Sequence, residues 1–295
     1  MNQIRNVRFS SAVSRIALGC MLILVGGVAA VNTAALLLGP IFYNNPVMQI
    51  VVNDLGMYLV GLPLGYCIWL TVPSDPMPIR PKRTMKPLLF VGYGVFSLGL
   101  GYLASFVTEL LLQLGNFNTT STAQEMVFEL PPWAALLFVA VLPAILEELI
   151  FRGVLYQKLG RFGEKPYVLL SGLLFGLFHG NGSQFLFATV LGCCFALLVS
   201  RTGTMLYGMM LHFLINFLSA VLVAPLAYEV EMITFMGLWM PACIALSITF
   251  FLLEREHLRL KKGTNLPPHP VRAALLNPGM LAFLALSLLL TVLAL

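Results

Sequence analysis

The stretch Ala144-Ile145-Leu146-Glu147-Glu148-Leu149-Ile150-Phe151-Arg152-Gly153 sets two acids and an arginine inside a run that is otherwise apolar from 131 to 158. A helix needs about 20 mostly apolar residues to cross a hydrocarbon core of about 30 Å, and this run is long enough. Eight more stretches of similar character lie near 17–43, 50–72, 87–114, 166–180, 184–200, 203–224, 231–253 and 277–295. Hydrophobic residues are 59% of the 295 positions and charged residues 10%, the reverse of a surface kept in water. These features define an all-α, polytopic transmembrane helix bundle of about eight or nine helices. The fifth and sixth stretches are short, which requires burial among other helices or a re-entrant turn at Gly180-Asn181-Gly182. The first follows Arg5, Arg8 and Arg15, yet its apolar part exceeds a signal-peptide core, so it reads as an uncleaved helix.

Short cytoplasmic loops retain positive charge, so lysine and arginine positions orient the chain. With the N-terminus inside and nine crossings, all 17 Lys and Arg fall on the inner side, whereas the outer loops at 44–49, 115–130, 181–183 and 225–230 hold none. The net charge of +5 therefore sits in juxtamembrane loops suited to anionic lipid and not to nucleic acid. The five cysteines lie inside the hydrophobic segments without metal-site or disulfide-framework spacing and read as small buried apolar residues. No polar stretch is long enough to bury a core of its own. Three parts follow: an N-terminal scaffold of three helices at 1–128, with a proline-rich cytoplasmic linker at 73–86; a catalytic core at 129–224; and C-terminal helices at 225–295, with a charged loop at 254–276. Within that loop, Glu254 to Lys262 reads as a helical extension that Pro267-Pro268-His269-Pro270 breaks. Asn118-Thr119-Thr120 is a glycosylation triplet without meaning in a bacterial chain.

A charge at the centre of a spanning helix costs about 2.5 to 3.5 kcal/mol by insertion scales, so adjacent acids require a reason. Glu148 and Arg152 are four apart and share a helix face, which neutralises Glu148 locally. Glu147 has no such partner on its own helix, and Pro143, four residues earlier, removes a backbone hydrogen bond and opens space beside it. Phe175-Gly176-Leu177-Phe178-His179 and His212-Phe213-Leu214-Ile215-Asn216 each carry a polar side chain or pair at helical spacing. A lone intramembrane histidine is more often an interhelical hydrogen bonder than a catalyst. At 1.5 Å per residue, Glu147 lies ~16 Å above Lys158, His179 ~20 Å above Lys165, His212 ~16 Å and Asn216 ~22 Å above Arg201. One slab of ~6 Å contains all four.

A carboxylate with two imidazoles activates water, directly or through a bound metal, and Asn216 with His212 can donate to a developing oxyanion. No serine or cysteine in the core is paired at helical spacing with a base, so water is the nucleophile and amide hydrolysis the reaction class. The run Glu147-Glu148-Leu149-Ile150-Phe151-Arg152-Gly153, then Phe175-x-x-x-His179, then His212-x-x-x-Asn216, resembles the CAAX protease and bacteriocin-processing (CPBP) family of intramembrane endopeptidases, related to the Ras-converting enzyme. Arg201-Thr202-Gly203-Thr204 also looks like the turn before that family's third motif. The resemblance implies Glu147 as the base, His179 as the residue that binds or polarises water, and His212 with Asn216 as the oxyanion site. Glu148, Arg152 and Phe175 become supporting residues. By residue type, Glu147, His179 and His212 are also candidate zinc ligands, although no His-Glu-x-x-His helix exists and a metal-free glutamate mechanism fits equally.

The expected substrate is a peptide or membrane-anchored protein, cut near a CAAX-like C-terminus or in a leader, in a bacterial plasma membrane suggested by compact size and the lack of organelle-targeting tails. A non-catalytic scaffold or bacteriocin self-immunity factor of the same fold is the alternative. A transport relay reads less well, because no internal repeat is found and the outer halves of the helices read as lacking acids and histidines.

Overall fold

The computed structural model describes residues 8–74, 84–117 and 122–294. Arg5, most of the proline-rich linker and the glycosylation triplet lie outside them. The described residues form helices joined by turns and loops, without strands. Seven helices are long and apolar enough to cross a membrane: α1 Phe9–Leu38, α2 Pro46–Leu70, α3 Pro87–Leu114, α4 Pro132–Phe162, then, after the shorter α5 Glu164–Phe178, α6 Gly182–Thr202, α7 Leu206–Leu226 and α8 Val230–Leu258. A second short helix, α9 Pro278–Ala294, closes the chain. All nine apolar stretches are thus helices.

Their ends follow local chemistry. Proline at the first position, where no N–H is needed, opens α2, α3, α4 and α9. Asn45 caps α2 by accepting from Met48 N at 2.9 Å, and Asn181 caps α6 by accepting from Ser183 N at 3.0 Å. Gly180 and Gly203 take positive φ, 57° and 69°, at the turns that bound α6.

Two boundaries depart from the sequence reading. α1 starts eight residues earlier than the apolar run, at Phe9, because its polar inner end has partners: Ser14 Oγ accepts from Gly279 N at 2.9 Å and Arg15 donates to Thr71 O at 3.0 Å. The extension of α8 stops at Leu258 and not at Lys262, since Arg201 takes the carbonyls of His257 and Arg259 at 2.9 and 2.8 Å and holds the chain extended. Glu164 closes this clasp. It pairs with Arg201 and accepts from Ser200 Oγ and Lys261 N, each at 2.8 Å.

The short α5 is tolerated because most of it is buried between α4, α6 and α9. Gly172 and Gly192 bring the α5 and α6 backbones into contact: a Cβ on Gly192 would lie 2.8 Å from Gly172 Cα. Ser171 Oγ donates to Phe151 O at 3.0 Å and ties α5 to α4, and Ser287 Oγ donates to Leu177 O at 2.8 Å and ties it to α9. α8, by contrast, is largely exposed and packs mainly on α3. Among the cysteines, Cys20, Cys194 and Cys243 are buried, as their apolar reading requires, whereas Cys67 is exposed.

The apolar core is in two parts. The larger joins α1, α4, α5, α6 and α9, and the smaller joins Ile50 of α2, Leu130, Ala134 and Ala135 at the start of α4, and Ala220 of α7. α4 itself is not a uniform helix. Wider, π-type turns run over Ala135–Val141 and Leu149–Val154, leaving Leu142–Glu148 as an α-helical island that carries both acids. Such widened turns recur where a helix must re-aim side chains toward a site.

Candidate active site

The acid pair, one imidazole and the arginine meet between α4 and α7. Glu148 is fully buried and Arg152 is 1% exposed. Arg152 Nη1 donates to Glu148 Oε1 at 2.7 Å, the i, i+4 pair read from the sequence. The guanidinium gains more than that partner. Nη2 donates to Gly192 O at 2.9 Å, and its carbon stands 4.6 Å from the Phe175 ring centroid and 5.2 Å from that of Phe195. Gly192 has to lack a side chain here, since a Cβ would lie 3.2 Å from Nη2.

His212 reaches both acids. Its Nδ1 is 3.2 Å from Glu148 Oε1, and because a carboxylate accepts, Nδ1 carries the proton in that contact. Its Nε2 then faces Glu147 Oε2 at 3.8 Å, beyond a direct hydrogen bond but within ion-pair range. Phe195 stacks on the imidazole at 5.3 Å and Phe175 meets it edge-on at 5.7 Å, so the ring has little freedom to turn. Glu148 therefore holds two partners at once, Arg152 and His212, which the one-helix reading of a locally neutralised acid did not include. Gly208, one turn before His212, gives the carboxylate its room: a Cβ there would fall 2.8 Å from Glu148 Oε2.

His179 lies at the inner-to-outer end of α5, half-buried, with its ring 4.9 Å from Phe175. Its Nδ1 is 2.8 Å from Phe175 O. A carbonyl only accepts, so Nδ1 carries the proton and Nε2 presents a lone pair. Both imidazoles thus lean on the single ring of Phe175.

Asn216 Nδ2 donates to Val139 O at 2.9 Å. Val139 is the residue whose carbonyl would accept from position 143 in a regular helix, and Pro143 has no N–H to give. Asn216 thereby ties α7 to the widened turn of α4, and its amide nitrogen carries a second hydrogen.

Metal ligation has a geometric requirement that this arrangement does not meet. Among the described residues, no three His, Cys, Asp or Glu side chains gather closely enough to hold an ion. His212 keeps Nε2 toward Glu147 Oε2, a pair that finds no third ligand among the described residues. No step is therefore routed through a metal.

The sequence reading passed over four contributors. Phe195 and the carbonyl of Gly192 are partners that tertiary packing alone creates. Gly208 stands four residues before His212 on the same face. Asp54 is the fourth and bears on an earlier premise: an acid does lie inside a spanning helix other than α4, in the half of α2 that the charge-based orientation puts outside, with its Oδ2 buried and unbonded among the described residues. Its signal was plain, an Asn-Asp pair inside a 25-residue apolar segment.

Fold and site together define an integral membrane protein, all-α, with ionisable groups gathered inside its helical bundle and not at its loops. Residues 129–218, α4 to the first part of α7, match the family model described as type II CAAX prenyl endopeptidase Rce1-like. The match contains Glu147, Glu148, Arg152, His179, His212 and Asn216 and stops short of α1–α3 and α8–α9. It supports a CAAX-type intramembrane protease at the level of the family. Neither a curated protein nor a solved structure matches the chain.

Proposed function

We propose that the chain is an intramembrane endopeptidase that hydrolyses one peptide bond of a membrane-associated protein or peptide by a glutamate-assisted, metal-free attack of water. The observation that carries this reading is the facing pair, Glu147 Oε2 and His212 Nε2 at 3.8 Å, with His212 fixed from behind by Glu148. A gap of that width leaves room for the attacking water beside Glu147. Glu147 removes one of its protons, and the other hydrogen turns to Nε2 of His179, whose Nδ1 proton is committed to Phe175 O, while His212 is kept for the oxyanion side. The oxygen adds to the carbonyl carbon. The remaining Asn216 N–H, and Nε2 of His212 when protonated, donate to the oxyanion. Collapse breaks the C–N bond, and the proton taken by Glu147 passes to the leaving nitrogen, so that protons balance.

Substrates of this reading are C-terminal CAAX-like segments of prenylated proteins, or leader peptides in a bacterial plasma membrane, with the N-terminus cytoplasmic. The test is cleavage of a quenched farnesylated CAAX peptide by purified protein in proteoliposomes. Glu147→Ala and His179→Ala each remove cleavage, by about 100-fold or more as befits a general base and its partner, while protein still accumulates in the membrane. Turnover retained in both variants sinks the proposal and favours a non-catalytic scaffold or immunity factor.

A further inference from the structure

Ile50, Asp54 and Tyr58 follow one another at helical spacing along α2. Ile50 is buried against Ala134, Ala135 and Ala220, with Val51 beside it and Phe138 and Val139 opposite, so this face of α2 looks at α4 and α7. Tyr58, at the other end of the stripe, packs against the larger core. Asp54 stands one turn beyond Ile50 on that face, about 6 Å along the helix, between the two cores, where α2 packs on the widened turn of α4 that leads to the acids.

Asp54 is poorly provided for. Oδ1 has only Asn53 Nδ2, at a long 3.5 Å, and Asn53 Nδ2 is also 3.3 Å from Met57 Sδ. Oδ2 is sealed from solvent and has no hydrogen-bond partner among the described residues. No lysine or arginine lies in α2. An unpaired carboxyl within a spanning helix is costly, and an apolar residue would fill this position more stably. Two residues later the helix widens into a π-type turn over Gly56–Gly61, the same deformation that flanks the acids of α4. An expensive acceptor, one turn from Ile50 on the face of α2 that looks at α4 and α7 and set beside a widened turn, is a position that a ligand's hydrogen-bond donor would complete.

We infer that Asp54, with Tyr58 beside it, is a substrate-positioning residue: its carboxyl accepts a hydrogen bond from a backbone N–H of the peptide, so that α2, outside the family-matched segment, forms the wall of the cleft opposite Glu147. The inference rests on the endopeptidase reading. It assigns the N-terminal helices a part in binding and not only in support.

The experiment measures binding and turnover separately, with the quenched farnesylated CAAX peptide as probe. Binding is read by fluorescence on the Glu147→Gln background, where cleavage does not interfere, and turnover on the Glu147 background. Asp54→Leu weakens binding by about 10-fold, the weight of one hydrogen bond to a charged acceptor, and raises KM far more than it lowers kcat. Asp54→Asn, which keeps an acceptor oxygen, restores most of the affinity. Thermal unfolding of Asp54→Leu in detergent is unchanged or higher, since the variant removes an unsatisfied buried acid. Unaltered binding in Asp54→Leu overturns the inference, and so does a parallel loss of stability and binding, which marks a structural role. Proton flux into proteoliposomes that vanishes with Asp54→Leu while peptide binding persists overturns it in favour of a relay. If the peptide binds but even the chain with Glu147 intact does not cut it, the endopeptidase reading fails while the binding comparison still decides the place of Asp54.

Discussion

Replacing Arg152 by methionine removes the only cation held against Glu148, whose side chain and that of Arg152 are both 0% exposed. Breaking a buried pair from one side costs about 3–5 kcal/mol, because the remaining charge stays uncompensated. The upper part of that range applies here: Nη2 also leaves Gly192 O without its donor, and the contacts with Phe175 and Phe195 are lost. Removing Glu148 alone, as Glu148→Met, leaves Arg152 buried with one carbonyl and frees His212 Nδ1, a comparable loss. Removing both behaves differently. In Glu148→Met/Arg152→Met no charge is stranded, an apolar pair fills the space, and what persists is the unbonded Nδ1–H of His212, at about 1–3 kcal/mol, with the Gly192 carbonyl left without Nη2, a loss shared with Arg152→Met. The double variant is therefore more stable than either single one, and the strong departure from additivity identifies the pair as a unit. Glu148→Met and the double variant lose cleavage because His212 has no acceptor behind it, and Arg152→Met loses it because Glu148 is no longer held in place. Reversible SDS unfolding in mixed micelles measures the stabilities and the quenched peptide measures activity. Arg152→Met within about 1 kcal/mol of the parent protein refutes the electrostatic account. A double variant that still cuts the peptide refutes the assignment of His212 as a residue oriented through Glu148.

Gly208→Ala places a methyl 2.8 Å from Glu148 Oε2, so the carboxylate shifts and drags His212 with it; cleavage falls by about 10-fold or more, as sub-ångström displacement of positioned groups does, and a fully active variant disproves the tight fit. Protein purified without added metal is expected to carry none by elemental analysis and to retain its activity in chelator, and activity restored only by zinc returns Glu147, His179 and His212 to the role of ligands. For orientation, a single cysteine at Gly263, in a chain whose five cysteines are replaced, is expected to be labelled by an impermeant maleimide only after the cells are opened, whereas one at Ser183 is labelled from outside; the reverse pattern inverts the topology.

What the sequence made legible depends on how far each interaction reaches along the chain. Helix number and type follow from runs of apolar residues, and the Glu148–Arg152 pair follows from a spacing of four, because both are local. His212 bridging the two acids is not local: it joins residues 64 positions apart, and only the packing of α7 on α4 brings it about. A helical repeat of 3.6 also presumes a uniform helix, whereas α4 widens on both sides of its acids, and no pattern of hydrophobicity announces that. The depth estimate brought His212 and Glu147 to one level and they do meet. Asn216 stands about one turn farther along, against Val139 in the widened turn of α4.

The position of Asn216 joins the fold to the chemistry. Inside a bilayer every backbone carbonyl has to find its donor within the protein, and Val139 O takes one from Asn216 on α7. An amide nitrogen meets this demand with one hydrogen and retains a second, whereas a hydroxyl would be spent by the same bond. The residue that ties α7 to α4 is thus able to serve a developing oxyanion beside it, and that bond fixes where the second hydrogen is held. Asp54 shows the opposite case, a polar group inside the bilayer whose demand the described protein does not meet. The asymmetry between a satisfied Asn216 and an unsatisfied Asp54 separates a group that the fold completes by itself from one that, on our inference, a bound peptide would complete.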